Sequence, residues 1–172
     1  MRVLVPLAEG VEEMECVILL DVLRRAKIEA VAVAMTDALQ VTASRGVRLV
    51  ADTAWSKIDP GTFDMIAIPG GMGGTRLLQK DERLLQALRT FVEQGKPVAA
   101  ICAGPLVLQA AGLLAGCTVT CHPGVAGALT VPRRIDDRVV EDGNIITSQG
   151  PGTSFDFALA IVRRLAGAAT AD

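Results

Sequence analysis

Tyrosine is absent, tryptophan and histidine occur once each, and aromatics make up only 3% of the 172 residues. The core must therefore be packed mainly by Val, Leu, Ile and Ala. Basic excess is also missing. Lys+Arg 17 against Asp+Glu 19 leaves a net charge of −2, which gives no drive toward nucleic acid or acidic lipid. No apolar stretch approaches the roughly 20 residues of a membrane-spanning helix. The N-terminal run Met1-Arg2-Val3-Leu4-Val5-Pro6-Leu7 is too short for a signal peptide, and Glu12-Glu13 stand where a cleavage site would be expected. The four cysteines lack the density of a secreted disulfide scaffold, so a reducing, cytoplasmic setting is expected. Cys117-x-x-x-Cys121-His122 has no fourth ligand close by to complete a tetrahedral zinc site. G-x-x-x-x-G-K-[ST] and G-x-S-x-G do not occur, and no G-x-G-x-x-G opens a first βαβ unit. Phosphate-loop, dinucleotide-binding and serine-hydrolase chemistry are thereby set aside.

What remains is a globular composition, 51% hydrophobic and 21% charged, suited to one domain with one substantial core. Residues 2–7 read as a strand and 11–26 as a helix, with Val17, Leu20 and Leu23 at helical spacing. Residues 30–35 read as a second strand, which completes a βαβ unit. A hairpin-like interruption, Ser44-Arg45-Gly46, follows. Short strands are expected at 65–68 and 98–101, and further ones near 119–120, 138–140 and 145–146. An amphipathic helix ends at Gln94, another follows Pro105, and residues 155–165 form a closing helix. Strands alternating with helices imply an α/β fold, a doubly wound and mostly parallel sheet with helices on both faces. Residues 1–166 form one domain and 167–172 a loose tail.

In such a sheet, chemistry collects at the carboxyl ends of the strands. Cys102 sits there, at the end of Val98-Ala99-Ala100-Ile101 and before Ala103-Gly104-Pro105, a position that favours a thiolate nucleophile over a buried packing residue. Glu15, one turn after Glu12 and next to Met14 and Val17, points inward on this reading and would favour the protonated form. His122, in Thr120-Cys121-His122-Pro123, offers the base of a Cys–His pair. Gly70 and Gly71 follow a strand and let backbone N–H groups approach an oxyanion. Arg25 and Arg45 are read as an anion pocket or as contacts to a second copy.

These segments together resemble the DJ-one branch of the ThiJ/PfpI superfamily over nearly the whole chain. The resemblance rests on Glu12-Glu13-Met14-Glu15, Ser44-Arg45-Gly46, Pro69-Gly70-Gly71, Ala99-Ala100-Ile101-Cys102-Ala103-Gly104-Pro105, Thr120-Cys121-His122-Pro123 and Gly150-Pro151-Gly152-Thr153-Ser154. It implies a flavodoxin-like homodimer with Cys102 at a strained elbow, Glu15 and His122 beside it, and Gly70, Gly71 and the Ala103 N–H as the oxyanion site. It also implies cofactor-free, metal-free handling of small aldehydes or glycated adducts, of the glutathione-independent glyoxalase or deglycase type, in oxidative-stress protection. A redox-sensing chaperone with an oxidisable Cys102 is the alternative, and a cysteine protease a weaker one, since no residue is evident to orient His122. Gln149 stands where human-like members carry Arg, and several relatives continue into a further C-terminal helix.

Overall fold

The computed structural model describes residues 1–131 and 133–171. In chain order the elements begin with β1 (Arg2–Leu7), α1 (Glu13–Arg25), β2 (Glu29–Ala34), β3 (Gln40–Thr42), β4 (Arg48–Val50), β5 (Thr53–Ala54) and β6 (Met65–Ile68). The middle of the chain holds α2 (Met72–Leu78), α3 (Glu82–Glu93), β7 (Val98–Ile101), α4 (Pro105–Ala110) and β8 (Thr118–Val119). The last part holds β9 (Arg133–Arg134), β10 (Val139–Asp142), β11 (Ile145–Ser148), α5 (Ser154–Ala166) and α6 (Ala168–Ala171). Among the described residues, seven strands form the central sheet in the order β10-β11-β7-β6-β1-β2-β5. All neighbours are parallel except β10, which runs antiparallel to β11.

Alternation along β1 divides the core. Val3, Val5 and Leu7 meet Leu19 and Leu23 of α1 and Phe157 and Ile161 of α5 on one face. Leu4 faces Leu84, Leu88 and Phe91 of α3 and Val107 of α4 on the other. Burial on both faces explains why the central strands read as unbroken apolar runs rather than alternating ones. The chain winds outward from β1 to β2, then returns to β6 on the other side of β1. The carboxyl ends of β1 and β6 thus flank the point where the winding direction reverses.

Several expectations are corrected. The face of α1 turned to the sheet carries Glu15, Cys16, Leu19 and Leu23, while Met14 and Val17 are about half exposed. Glu15 does point inward, but on a different stripe from the one expected. Helix α2 departs from the sequence pattern, because Gly73 and Gly74 are poor helix formers. Tertiary packing overrides propensity there: side chains at these positions would press on the backbone of Gly10 and Val11, at 3.0 and 3.1 Å. The two-residue β5 is too short to leave a pattern. Strand β8 pairs with β9 in a small separate sheet, so His122 does not follow a central strand. The tail holds a helical turn, α6, and its last residue, Asp172, lies outside the described residues.

Candidate active site

Each parallel strand around β7 ends by delivering one group to the same place. Cys102 follows β7 directly. Its backbone takes φ 64°, a left-handed conformation that non-glycine residues seldom adopt. Two long-range hydrogen bonds hold it there. The Cys102 N–H donates to the Ser148 carbonyl at the end of β11 (3.0 Å), and the Cys102 carbonyl accepts from the His122 N–H (3.0 Å).

Strand β6 delivers Gly70 and Gly71. A Cβ on Gly70 would lie 2.5 Å from the Cys102 Cβ and 2.7 Å from Glu15 Oε2, so only glycine leaves room for both side chains. Gly71 has φ 89°, and a Cβ there would collide with the Gly10 carbonyl and come within 2.5 Å of the Glu12 nitrogen. The N–H groups of Gly71 and Ala103 both act on the Cys102 sulfur and favour its anionic form.

Strand β1 leads into α1, whose N-cap Glu12 accepts the Glu15 N–H (2.8 Å). Glu15 is 1% exposed; its Oε2 accepts the Gly70 N–H at 2.7 Å, and its Oε1 has no hydrogen-bond partner among the described residues. Burial raises the Glu15 carboxyl to about 7, over the opposing influence of the Cys102 thiol and the Gly70 N–H. Burial, reinforced by the Glu15 charge, pushes the Cys102 thiol up to about 12. This corrects the simple expectation of a resting thiolate: next to an ionised Glu15 the sulfur holds its proton. When the proton sits on Glu15 instead, the repulsion is gone and the acid becomes a donor toward sulfur. The two groups therefore titrate as a pair.

His122 is exposed, and its Nδ1 accepts the Gly124 N–H (3.0 Å), so in the neutral ring the proton is on Nε2. Gly150, after β11, lies between the imidazole and the acid. A Cβ there would be 3.3 Å from His122 Cδ2 and 4.0 Å from Glu15 Oε1. Sequence reasoning missed Gly150, although it follows a strand end as the other site residues do. The geometry thus gathers Cys102, Glu15, His122, Gly70, Gly71 and Ala103.

Arg25 and Arg45 are not part of the gathering. Arg25 ends α1 and pairs with Asp21 (2.6 Å), whereas the Arg45 N–H bonds Glu13 at the start of that helix (2.8 Å). The two points are the ends of a thirteen-residue helix, twelve steps or roughly 18 Å apart at 1.5 Å per residue, so within one chain they form no joint anion pocket.

The DJ-1/PfpI family profile matches residues 1–164. The chain belongs to the DJ-1/PfpI family. Among its relatives, "Protein DJ-1 homolog B" of Arabidopsis thaliana is 46% identical over 167 residues, which is 96% of this chain but only 38% of that longer protein. "Glutathione-independent glyoxalase DJR-1.2" of Caenorhabditis elegans is 41% identical, over 92% of this chain and 85% of the relative. The crystal structure of Drosophila melanogaster DJ-1beta superimposes with a TM-score of 0.95 at 39% identity, covering 99% of this chain and 92% of that one. The doubly wound fold is thus the family's fold. Among the described residues, no helix is long and apolar enough to cross a membrane.

Proposed function

We propose that this protein is a cofactor-free enzyme that converts small reactive carbonyls to hydroxy acids, methylglyoxal to lactate being the reference reaction. One observation carries the reading: Glu15 is buried, has one oxygen without a partner among the described residues, and lies beside Cys102, the two side chains flanking Gly70. Such a group can hold a proton, release it and recover it close to neutral pH.

In the first step the Cys102 sulfur adds to the aldehyde carbon, and the thiol proton passes by way of Glu15 to the carbonyl oxygen, giving a hemithioacetal. The N–H groups of Gly71 and Ala103 stabilise negative charge as it develops. The Glu15 carboxylate then removes the proton on that carbon, and the resulting enediol is reprotonated at the adjacent carbon. This leaves a lactoyl thioester on Cys102. Water hydrolyses the thioester, releasing lactate and restoring the thiol. The net change is addition of one water, with oxidation of one carbon balanced by reduction of its neighbour. His122, with its proton on Nε2, orients the substrate or relays a proton. The relative named as a glutathione-independent glyoxalase supports the same assignment.

The test is loss of methylglyoxal without glutathione, with lactate quantified. Cys102→Ala is expected to abolish turnover, and unchanged turnover in that variant rejects the scheme.

A second reading, a redox sensor with chaperone activity, is favoured by the Gly71 and Ala103 N–H groups, which favour negative charge on the sulfur and would also suit the oxygens of a sulfinate. Two equivalents of peroxide would add two oxygens to Cys102 and release two waters. Selective gain of two oxygens together with feeble carbonyl turnover would favour this reading. The half-exposed Met14 and Val17, and Val50 on β4, support a homodimer, which sedimentation velocity tests.

A further inference from the structure

We propose that Thr153 is a positioning residue, whose buried hydroxyl fixes the turn 148–150 and through it both the Cys102 elbow and the wall between Glu15 and His122. The inference rests on the reading of Cys102 and Glu15 as the reacting pair. Thr153 is 5% exposed and Ser148 is fully buried. The Ser148 hydroxyl lies 2.6 Å from the Arg138 carbonyl and 2.7 Å from Thr153 Oγ1. The N–H groups of Gln149 and Gly150 donate to Thr153 Oγ1 at 3.2 and 3.1 Å.

Proton counting gives these bonds a single direction. A carbonyl only accepts, so the one Ser148 proton goes to Arg138. Ser148 Oγ, at 2.7 Å, then accepts the Thr153 proton in preference to the more distant Gly150 carbonyl at 3.0 Å. That leaves the two Thr153 lone pairs for the Gln149 and Gly150 N–H groups. The Gly150 carbonyl, also 3.0 Å from Thr153 Oγ1, is served by the Thr153 N–H at 2.9 Å and the Ser154 hydroxyl at 3.4 Å. Each of these groups is satisfied, and only a hydroxyl at 153 can accept twice and donate once.

The turn carries two parts of the site. The Ser148 carbonyl anchors the strained Cys102 N–H. Gly150 stands between His122 Cδ2 and Glu15 Oε1. Removing the hydroxyl would orphan two N–H groups in a buried turn, one of them fully inside. The turn would shift or admit water, Cys102 would lose its anchor, and Glu15 would regain solvation. The titratable groups that face this pair are Glu12 and Cys16 of the α1 segment, both of which interact with Glu15, and His122, which lies across Gly150 from it.

The experiment compares wild type, Thr153→Val and Thr153→Ser as full chains. One readout is the pH dependence of Cys102 alkylation by iodoacetamide, followed by peptide mass. The other is kcat and KM for methylglyoxal. Thr153→Ser is expected to keep the wild-type alkylation midpoint. Thr153→Val should move that midpoint by about half a pH unit or more and lower kcat about tenfold with little change in KM. A folded Thr153→Val with the wild-type midpoint and rate overturns the proposal. Should that variant not fold, Ser148→Ala, which removes the acceptor of the Thr153 proton together with the bond to the Arg138 carbonyl, must move the midpoint by about half a pH unit or more, or the proposal fails. If wild type shows no carbonyl turnover, the proposed reaction falls, while the alkylation midpoints still decide the role of Thr153.

Discussion

Replacing Glu15 by glutamine should make the protein more stable above neutral pH and inactive as a carbonyl-processing enzyme. In the folded chain the carboxyl is raised by burial from 4.5 to about 7. An acid whose folded pKa lies above its unfolded value binds more protons in the native state, so its contribution is fully present below pH 4.5. That contribution declines as pH rises and is lost above about 7. At roughly 1.4 kcal/mol per pKa unit, the shift corresponds to about 3 kcal/mol of stability missing at pH 8. A glutamine at this position keeps the acceptor for the Gly70 N–H but carries no charge, so the variant escapes this loss. Urea unfolding of both proteins at pH 4, 6 and 8 provides the check. The advantage of Glu15→Gln should be near zero at pH 4 and grow toward a few kcal/mol at pH 8. A difference that stays flat with pH would show that Glu15 titrates as an ordinary carboxylate, and the proton-sharing argument would fail with it.

Other substitutions probe separate parts of the argument. Gly70→Ala would place a Cβ 2.5 Å from that of Cys102 and 2.7 Å from Glu15 Oε2; methylglyoxal turnover should vanish and thermal melting should show a lower Tm. Lys27→Gly should stabilise by about 0.5–1 kcal/mol in urea titration, because Lys27 takes φ 61° in the Schellman turn closing α1, where Ile28 N–H meets Leu23 O and Lys27 N–H meets Arg24 O. Phe157→Ala, in the fully buried contact of α5 with α1 and the sheet, should cost about 3–5 kcal/mol and lower the urea midpoint without moving the pH profile of any surviving activity.

How legible the site is in the sequence follows from where each signal lies. The strand of Val98–Ile101 ending at Cys102, the Gly70-Gly71 pair and the βαβ start all sit in short contiguous segments, where local pattern and turn chemistry are readable. Glu15 points inward as its sequence neighbours suggest, but those neighbours are not the reason. Met14 and Val17 lie half exposed, and the buried stripe of α1 runs through Cys16, Leu19 and Leu23 instead. A hydrophobic residue on a surface stripe cannot be told from a core residue by spacing alone. Helix α2 leaves no local signal because Gly73 and Gly74 serve the approach of Gly10, a contact far away in sequence. Thr153 stands out only as part of a motif, since its role depends on partners brought round by β11. The separation of Arg25 from Arg45 likewise needs the length of α1 to be seen.

The costs built into the site explain why so many neighbours converge on it. A non-glycine residue at φ 64° costs on the order of 1–3 kcal/mol, and the buried Glu15 adds a penalty of similar size once ionised. No single contact offsets both. The elbow is fixed from two sides, by Ser148 of β11 and by His122 beyond β8, while Gly70 beyond β6 satisfies one Glu15 oxygen and leaves the other unpaired. That unpaired oxygen is the carboxylate atom that further packing could have satisfied. Giving it a permanent partner would raise stability and remove the proton acceptor that the proposed chemistry requires. The arrangement therefore makes sense as a stability concession localised at one atom, held in place by the strand ends that converge around it.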